Sequence, residues 1–336
     1  MGKRYLIVKI AAIGDVIMAI PMVQRIREVD PDADITWLCG KSVYPILKVF
    51  PIDHLICIDE KKLLAGSKVQ KVQAVLSAWR QIAFRHYDVV ALGHASRRYR
   101  LLTLLIKSDT FHAFSHIMGG IWPVPGRHHT DEYVRLVRLD IKEITPPARF
   151  PAVELPQSIL DVFAKDKKIV ILAPGGAKNV LADDDVRRWP VESYAALARQ
   201  LIADGMQVIV TGAPSDQWVS EYFADMDVVD LVGKTNLLQL IGIFQHADVV
   251  VTHDSGPLHL AGMTQAFLIA LFGPTNPWEK VPQRKNVVTF WQHEKYTCCP
   301  CYDGKYYAAC KENICLSTIN PHRIYDLIKS MNGVAK

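Results

Sequence analysis

The stretch Tyr5-Leu-Ile-Val-Lys-Ile-Ala-Ala-Ile-Gly-Asp-Val-Ile-Met-Ala-Ile-Pro21 combines an apolar run, a turn and a helical pattern. The apolar run predicts a buried strand over Tyr5–Ile10. Gly14 permits the tight turn that follows, and a helix is predicted over residues 16–29. A strand that leads directly into a helix is the repeating unit of α/β folds with a parallel sheet.

The same alternation continues on both sides of a proline-rich segment. In the first half, strands are predicted at Ile35–Cys39, His54–Ile58, Val89–Gly93 and Thr110–Phe114, and helices near residues 41–49, 68–84, 98–107 and 130–139. Ile144–Pro156 carries four prolines and is predicted to be a linker. Beyond it, strands are predicted at Ile169–Ala173, Gln207–Thr211, Val228–Leu231, Val249–Thr252 and Phe267–Phe272, and helices at Val191–Asp204, near 216–224, at Leu237–His246 and at Pro257–Met263.

This pattern predicts an α/β chain of two Rossmann-like, doubly wound domains that face a cleft. We place the domains at residues 1–155 and 156–336, because a chain of 336 residues is long for one hydrophobic core. Ligands are expected at the carboxyl ends of the strands.

The composition is that of an ordinary soluble globular protein. Half of the residues are hydrophobic and 22% are charged. No apolar run approaches the roughly 20 residues that span a bilayer. The first residues lack the long apolar core and small-residue cleavage site of a signal peptide. The sequence therefore predicts a cytoplasmic protein.

Charge is distributed unevenly along the chain. Residues 1–150 hold 22 Lys and Arg against 14 Asp and Glu, whereas the remainder holds 17 against 20. A basic first half favours an anionic partner, such as an acidic glycan, the inner face of a membrane or nucleic acid. A chance difference between two solvated surfaces accounts for the same numbers.

Three segments at predicted strand ends carry side chains suited to chemistry. Asp15 lies at the start of a helix, whose dipole favours an anion, and is a candidate catalytic carboxylate or an N-cap. In Ala173-Pro-Gly-Gly-Ala177, Gly175 and Gly176 would let backbone N–H groups approach an anion, and Arg187 further on could clamp phosphate. The alternative there is a plain glycine turn with a solvent-facing basic pair.

The third segment is Thr252-His-Asp-Ser-Gly-Pro-Leu-His259, which passes from a strand into a helix. Asp254, Ser255 and Gly256 precede the proline that starts the helix, so the segment predicts an anion-accepting helix start or a site for sugar hydroxyls. His259 is a candidate ligand contact, and a packed helix histidine is the alternative. A further strand-to-loop junction, Leu271-Phe-Gly-Pro-Thr-Asn-Pro277, indicates only a turn.

In this order the segments resemble one family, the glycosyltransferases typified by ADP-heptose:lipopolysaccharide heptosyltransferases, glycosyltransferase family 9. Ile13-Gly-Asp-Val-Ile-Met-Ala-Ile-Pro21 is similar to the opening motif of the family. Arg188-Trp-Pro190, the Asp-Ser-Gly-x-x-His segment and Phe272-Gly-Pro-Thr275 follow with similar spacing. The resemblance extends from residue 4 to about residue 328.

The resemblance implies a GT-B fold in which the first domain binds the acceptor and the second binds the nucleotide sugar. It implies inverting, metal-independent transfer of heptose from ADP-heptose to a saccharide, the lipopolysaccharide core. Asp15 matches the general base of the family. The implied donor-site residues are Gly175, Gly176, Arg187, Asp254, Ser255, Gly256 and His259 around the diphosphate and sugar, with Lys234 and Thr235 near the nucleotide base.

Two departures from the family pattern affect the expected contacts. Ala11 and Ala12 stand where many relatives have serines, so hydroxyl contacts are lost there. Pro214 stands where relatives often carry an acidic residue that touches the ribose. Ser215 or Asp216 would have to take that role.

A cysteine-rich segment spans residues 298–315 and holds five of the seven cysteines. Thiolates of Cys298, Cys301, Cys310 and Cys315 could hold a structural zinc or iron ion, with Cys299 as the alternative to Cys298. Free packed thiols and a local disulfide are the alternatives, although disulfides are rare in cytosolic proteins.

Three functions are compatible with these observations. The first is transfer to an anionic glycan or glycolipid, with Arg97, Arg98 and Arg100 on the acceptor side and peripheral contact to the membrane. The second is transfer to a protein or small molecule, which needs no membrane-facing basic surface. The third is a non-catalytic nucleotide- or metal-binding GT-B protein, against which the intact Asp15 argues. A nucleic-acid partner is not expected.

Overall fold

The computed structural model describes residues 2–114, 120–140, 144–178, 183–303, 306–310 and 312–331. They form two compact units, which join in sequence at Ala148 and Arg149, inside the proline-rich segment. We call them the first and second units. In the described part of the chain, none of the helices has the length and apolar character needed to cross a bilayer.

The first unit is built on a five-stranded parallel sheet with strand order β3-β2-β1-β4-β5. Its strands are β1 (Arg4–Val8), β2 (Asp34–Gly40), β3 (His54–Ile58), β4 (His86–Leu92) and β5 (Lys107–Ala113). Its helices are α1 (Ile13–Ala19), α2 (Pro21–Val29), α3 (Tyr44–Leu47), α4 (Glu60–Ala65), α5 (Lys68–Ile82), α6 (Arg97–Arg100) and α7 (His129–Arg135). The central strand β1 is a continuous apolar run because both faces of the sheet are covered.

Several helices of this unit differ from the prediction: the one expected near residues 41–49 is only α3, and α4 was not predicted. The helix predicted over residues 16–29 is divided into α1 and α2 at Pro21, which lacks the N–H needed for the next helical hydrogen bond. The helix predicted near 98–107 is only α6 followed by a 3-10 turn over Leu101–Thr103. The chain has to reach the start of β5 at Lys107, which leaves no room for a longer helix.

The second unit contains a six-stranded parallel sheet with strand order β11-β10-β9-β6-β7-β8. Its strands are β6 (Ile169–Ala173), β7 (Gln207–Gly212), β8 (Val228–Val232), β9 (Val249–His253), β10 (Phe267–Phe272) and β11 (Val287–Trp291). Its helices are α8 (Gln157–Leu160), α9 (Val191–Ala203), α10 (Leu237–His246), α11 (Gly256–Gly262), α12 (Ile314–Ser317) and α13 (Pro321–Ser330). A kinked 3-10 segment, Pro214–Phe223, replaces the helix predicted near 216–224.

Four elements of this unit, β11, α8, α12 and α13, were not predicted from the pattern, and α8 and α12 are single turns of four residues. β11 is an edge strand whose residues are only half-buried, so its apolar signal is weak. α13 buries Ile324 and Ile328 in the core that α9 also lines. Asn320 caps its start and Pro321 occupies its first turn, which is a recognisable start signal.

The strand orders locate one ligand-binding position in each sheet. The order reverses between β1 and β4 in the first unit and between β6 and β9 in the second. At such reversals the loops after neighbouring strands diverge and leave a crevice at the carboxyl edge. Asp15 lies in the first turn of α1, directly after the β1 loop, and His94 lies in the loop after β4; the loops after β6 and β9 contain Gly175 and Asp254.

Candidate functional site

In the first unit, Asp15 forms an ion pair with a buried lysine. The Lys9 Nζ lies 3.2 Å from Asp15 Oδ2, and the side chains are 3% and 38% exposed, respectively. Burial lowers the pKa of Lys9, while the nearby Asp15 carboxylate works against that change. The pair therefore joins a buried cation to a carboxylate that remains accessible from solvent.

Tyr133 of α7 completes this cluster. Its hydroxyl forms a hydrogen bond with Asp15, and its ring centroid lies 5.0 Å from Lys9 Nζ. Burial and the Asp15 charge hold the pKa of Tyr133 well above its ordinary value, so the hydroxyl stays protonated and donates. Gly93 makes room for this arrangement, because a Cβ there would lie 3.3 Å from both Lys9 and Tyr133.

His94 lies beside this cluster but is not equipped to be a base. Its Nε2 accepts a hydrogen bond of 2.9 Å from the Ile10 backbone N–H, and its ring stacks on Tyr99 at 3.7 Å. Burial and the Lys9 charge place its pKa well below the ordinary value. The imidazole is therefore neutral and already engaged as an acceptor, which leaves Asp15 as the accessible proton acceptor of the cluster.

The N-cap interpretation of Asp15 is wrong. The N-cap of α1 is Ala12, which has no side-chain cap, and Asp15 follows three residues later in the first turn. An acidic residue in a first turn interacts favourably with the helix dipole. Its carboxylate is turned to Lys9 and Tyr133 instead of closing the helix.

In the second unit, Asp254 is the centre of a buried charge cluster. Its Oδ2 accepts a hydrogen bond of 2.8 Å from Thr275 Oγ1, and it lies 3.6 Å from Arg187 Nη1 and 3.5 Å from Lys280 Nζ. Burial alone would raise the pKa of Asp254. The cations Lys280 and Arg187, together with His259, hold that pKa well below its ordinary value. The carboxylate is therefore ionised and fixes two cations at the carboxyl edge of the sheet.

Arg187 forms ion pairs with two carboxylates, and one of its N–H groups is available to a ligand. Its Nη2 donates to Asp184 Oδ2 at 3.1 Å, in addition to the contact with Asp254. Although burial lowers the pKa of Arg187, the neighbouring Asp254, Tyr307 and Asp184 raise it above its ordinary value. Its buried Nε has no hydrogen-bond partner among the described residues. An anionic ligand could accept from that N–H.

The predicted glycine loop lies against the start of α11. Gly176 has a φ of 86°, and a Cβ there would lie 3.3 Å from the Ser255 side chain. The Gly176 carbonyl also accepts a hydrogen bond of 2.9 Å from Arg188 Nε. The structure thus brings the loop after β6 next to the loop after β9, as the strand order requires.

Gly175 covers the side chain of Asp216. A Cβ at Gly175 would lie 2.4 Å from the Asp216 Cγ, and Asp216 accepts a hydrogen bond of 2.8 Å from the Ala213 N–H. Asp216 is buried beneath the loop, whereas Ser215 is exposed. Of the two predicted substitutes for a ribose contact, only Ser215 therefore remains accessible.

The start of α11 places the remaining motif residues. Ser255 is its N-cap and donates its hydroxyl to the His253 carbonyl at 3.3 Å. Open space surrounds Gly256, where a Cβ would meet no heavy atom within 4 Å. His259 is buried one turn into the helix, and its charge acts on Asp254. Ser255 and His259 therefore accompany Asp254 at the same edge.

Lys234 and Thr235 follow β8, away from this charge cluster. Lys234 is exposed, and its Nζ donates to the Asp230 carbonyl at 2.7 Å. Among the described residues, neither side chain has a recorded contact with Asp254 or Arg187. The structure thus places the two residues at the same sheet edge but does not bring them into the cluster.

The sequence matches the family described as glycosyltransferase family 9 (heptosyltransferase) over residues 133–307, just over half of the chain. The chain belongs to glycosyltransferase family 9. The matched residues include the Asp254 cluster and Tyr133, while Lys9 and Asp15 precede them.

Curated family 9 relatives match most of the chain. A lipopolysaccharide core heptosyltransferase, OpsX of Haemophilus influenzae, is 28% identical over 310 residues, which are 86% of this chain and 85% of the relative. Lipopolysaccharide heptosyltransferase 3 of Escherichia coli K12 is 24% identical, over 83% of this chain and 85% of the relative.

Solved structures of family 9 proteins share the fold. The glycosyltransferase of Veillonella parvula superimposes with a TM-score of 0.76 at 20% identity, over 98% of this chain and 97% of that one. Heptosyltransferase WaaC of E. coli, solved with ADP, gives a TM-score of 0.70 at 18% identity, over 97% and 99%. The prediction of an α/β GT-B fold with two Rossmann-like sheets is confirmed.

Both the Asp15 cluster and the Asp254 cluster contain residues that the sequence did not predict. Lys9 and Tyr133 surround Asp15, and Lys280 and Thr275 hold Asp254. Thr275 lies in a quoted motif that indicated only a turn. Lys280 lies outside every motif of the sequence. Residue type alone does not distinguish a lysine that packs inside the protein from one that is solvated.

The cysteine-rich segment of this family 9 chain surrounds a cavity of about 100 Å³. The cysteines that line it are Cys298, Cys299, Cys301, Cys310 and Cys315. Cys299 forms a hydrogen bond with Cys315, and its Sγ also donates to the Gly273 carbonyl and accepts from Trp291 Nε1 at 3.1 Å. Within the described residues, three metal-ligating atoms come within 4.8 Å of one another only at His86, Asp88 and Asp109. The thiols match a thiophilic ion by donor type but not by mutual distance.

Proposed function

We propose that this family 9 chain is an inverting heptosyltransferase that transfers heptose from ADP-heptose to a saccharide acceptor without a catalytic metal. The observation that carries the proposal is Asp15, an accessible carboxylate held by Lys9 and Tyr133 at the strand reversal of the first unit. A carboxylate in that setting is suited to general-base catalysis.

In the proposed reaction, Asp15 accepts the proton of an acceptor hydroxyl. The hydroxyl oxygen then forms a bond with the anomeric carbon of heptose, and the bond between that carbon and the diphosphate oxygen breaks. ADP leaves with the bonding electrons. The Lys9 cation and the Tyr133 hydroxyl fix the orientation of the Asp15 carboxylate, so that little reorganisation is needed when the proton moves.

On the donor side, Arg187 and Lys280 supply positive charge for the leaving diphosphate. Both are held in place by Asp254, and the unpartnered Arg187 Nε is available to a phosphate oxygen. Fixed cations in a buried setting stabilise developing negative charge at low reorganisation cost. Two cations of this kind support catalysis without a metal. We also assign Gly175, Gly176, Ser255, Gly256 and His259 to the diphosphate and sugar, and Lys234 with Thr235 to the nucleotide base.

Replacing Arg187 with alanine is expected to weaken ADP binding by roughly 10–150-fold, because one charged hydrogen bond contributes about 1.5–3 kcal/mol. Calorimetric titration with ADP, without acceptor, measures the change. The matched control is Arg97→Ala in the first unit, which should leave ADP affinity at the wild-type value. Equal affinities in all three proteins would place the nucleotide elsewhere.

The acceptor we propose is the lipopolysaccharide core. Two of the relatives that match most of the chain are named lipopolysaccharide heptosyltransferases. Arg97, Arg98 and Arg100 are exposed and flank Tyr99 in the sequence, close to the Asp15 cluster. There they would meet an acidic or phosphorylated saccharide. Transfer to a delipidated core oligosaccharide, compared with a peptide and a neutral disaccharide, tests this choice.

We further propose a structural zinc or iron ion at the thiol-lined cavity, with Cys298, Cys301, Cys310 and Cys315 as ligands. The support is the number of thiols on one small cavity. Their sulfurs would have to draw together on binding, because the described geometry does not yet form a tetrahedral shell.

Elemental analysis of protein purified without a metal-affinity tag is expected to give about one ion per chain, in line with a single four-thiolate shell. Replacing both Cys310 and Cys315 with serine should abolish the metal content and lower the melting temperature, while ADP affinity of the folded protein stays unchanged. Wild-type protein without zinc or iron would contradict the proposal.

A further inference from the structure

Helix α5 of the first unit exposes an apolar stripe in addition to the face that it buries. Ala74, Ala78 and Ile82 face the core. Val69, Val72 and Leu76 recur at helical spacing on a second face and are 66%, 57% and 42% exposed. The half-buried Trp79 continues the stripe by one turn. Exposed apolar side chains that line up on one helix face form a candidate interaction surface.

The stripe continues onto the chain segments beside the end of α5. Trp79 Nε1 donates to the Leu101 carbonyl at 2.9 Å, and the Phe84 N–H donates to the Leu105 carbonyl at 2.7 Å. These bonds tie Phe84, Leu101 and Leu104 to the helix end, and the three side chains are 82%, 51% and 63% exposed. We call Val69, Val72, Leu76, Phe84, Leu101 and Leu104 the α5 patch.

Phe84 is held outward by an unusual backbone conformation. Its φ is 61°, in the left-handed region that bulky side chains rarely adopt. Burial of the side chain does not offset the cost of this conformation, because Phe84 is the most exposed large apolar residue among those described. Strained residues that persist are often tied to function.

The chain segment that carries the α5 patch is strongly basic. Residues 61–107 contain ten Lys and Arg and one acidic residue, Asp88, which accepts a hydrogen bond from the Arg4 N–H. Lys68, Lys71, Arg80, Arg85, Arg97, Arg98 and Arg100 are all exposed. Across the described ranges, none of these seven forms a salt bridge.

We propose that the α5 patch docks this chain on an anionic lipid surface, with its apolar side chains among the acyl chains and its basic residues at the headgroups. A basic amphipathic helix with exposed aromatic and aliphatic residues suits such an interface. Anionic lipid attracts each nearby Lys or Arg, and the apolar stripe buries surface that water would otherwise contact. This inference deepens the proposed function, because it rests on an acceptor that is linked to lipid.

The test is co-sedimentation of the full chain with vesicles. Wild-type protein is expected to bind vesicles of phosphatidylglycerol and phosphatidylethanolamine, and to bind phosphatidylcholine vesicles far more weakly. Removing two charges in Arg80→Gln/Arg85→Gln should lower the partition coefficient by roughly twenty-fivefold, since each basic residue contributes about fivefold. Removing the stripe in Val72→Gln/Leu76→Gln/Phe84→Asn should lower it by at least about tenfold.

The matched control is Val29→Gln/Val49→Gln, which removes two exposed valines elsewhere on the first unit. It should bind vesicles like the wild type. No binding by the wild type, equal binding to neutral vesicles, or an equal loss in the control would overturn the proposal. So would a wild-type dimer in solution that the stripe variant converts to monomer, because the patch would then cover a second copy.

The vesicle result is separable from the proposed function. With a water-soluble, delipidated core oligosaccharide, the stripe variant should transfer heptose at the wild-type rate. Vesicle binding without any transfer by the wild type would refute the proposed reaction and leave the docking surface intact. Transfer without vesicle binding would refute the docking surface and leave the proposed reaction intact.

Discussion

Replacing Asp15 with asparagine is expected to lower the turnover of heptose transfer by ~10²–10⁴-fold. The amide has the size of the carboxylate and can still accept hydrogen bonds from Tyr133 and Lys9. It cannot take up the acceptor proton, so the nucleophile is no longer activated. ADP release in the presence of acceptor, at saturating donor, measures the change.

The control for this substitution is Asp140→Asn, an exposed carboxylate of the same unit that forms a surface ion pair with Arg138. Its turnover should equal that of the wild type. Both variants should retain wild-type ADP affinity and melting temperature. If the Asp15 variant kept more than about half of the wild-type turnover, Asp15 would not be the base. A wild-type protein without any transfer activity would instead support the non-catalytic alternative.

The second large effect is expected on stability. Replacing Asp254 with alanine leaves Arg187 and Lys280, whose side chains are only 15% and 12% exposed, without their shared carboxylate. Removing one partner of a buried ion pair costs about 3–5 kcal/mol of unfolding free energy, because the remaining charge is desolvated and uncompensated. Chemical denaturation followed by tryptophan fluorescence measures the loss.

Two further variants show whether charge is the cause. Asp225→Ala removes a surface pair with Arg199, whose side chains are 69% and 57% exposed, and should cost no more than about 1 kcal/mol. Adding Lys280→Met to Asp254→Ala should restore part of the stability, because Arg187 keeps Asp184 as a partner. A double variant less stable than Asp254→Ala would mean that packing, and not unpaired charge, governs this cluster.

The sequence was sufficient for ten of the eleven described strands and for the residues at their ends. Parallel strands buried on both faces are continuous apolar runs, and a glycine turn before a helix locates Asp15 without knowledge of its neighbours. The same local signal located Asp254. Membership of the glycosyltransferase family was likewise carried by short motifs in the right order.

The partners of these residues could not be predicted, because they come together only through the fold. Tyr133 reaches Asp15 from a helix far along the chain, and Lys280 reaches Asp254 from the loop after the next strand. For Asp216, the sequence position suggested a contact with the ligand. In the structure the glycine loop covers its carboxylate instead. The break at Pro21 was readable, because proline inside a helical pattern ends the helix.

The charge cluster of Asp254 has a consequence for how this enzyme family can diversify. The partners described for its carboxylate, Arg187, Thr275, Lys280 and His259, all belong to the second unit. If the first unit binds the acceptor and this cluster binds the donor, as we propose, substitutions between residues 2 and 148 can alter the acceptor without touching the ion pairs of Asp254. Under that proposal, new glycan specificities are open to neutral drift on one half of the gene, while purifying selection keeps the other half on a single nucleotide sugar.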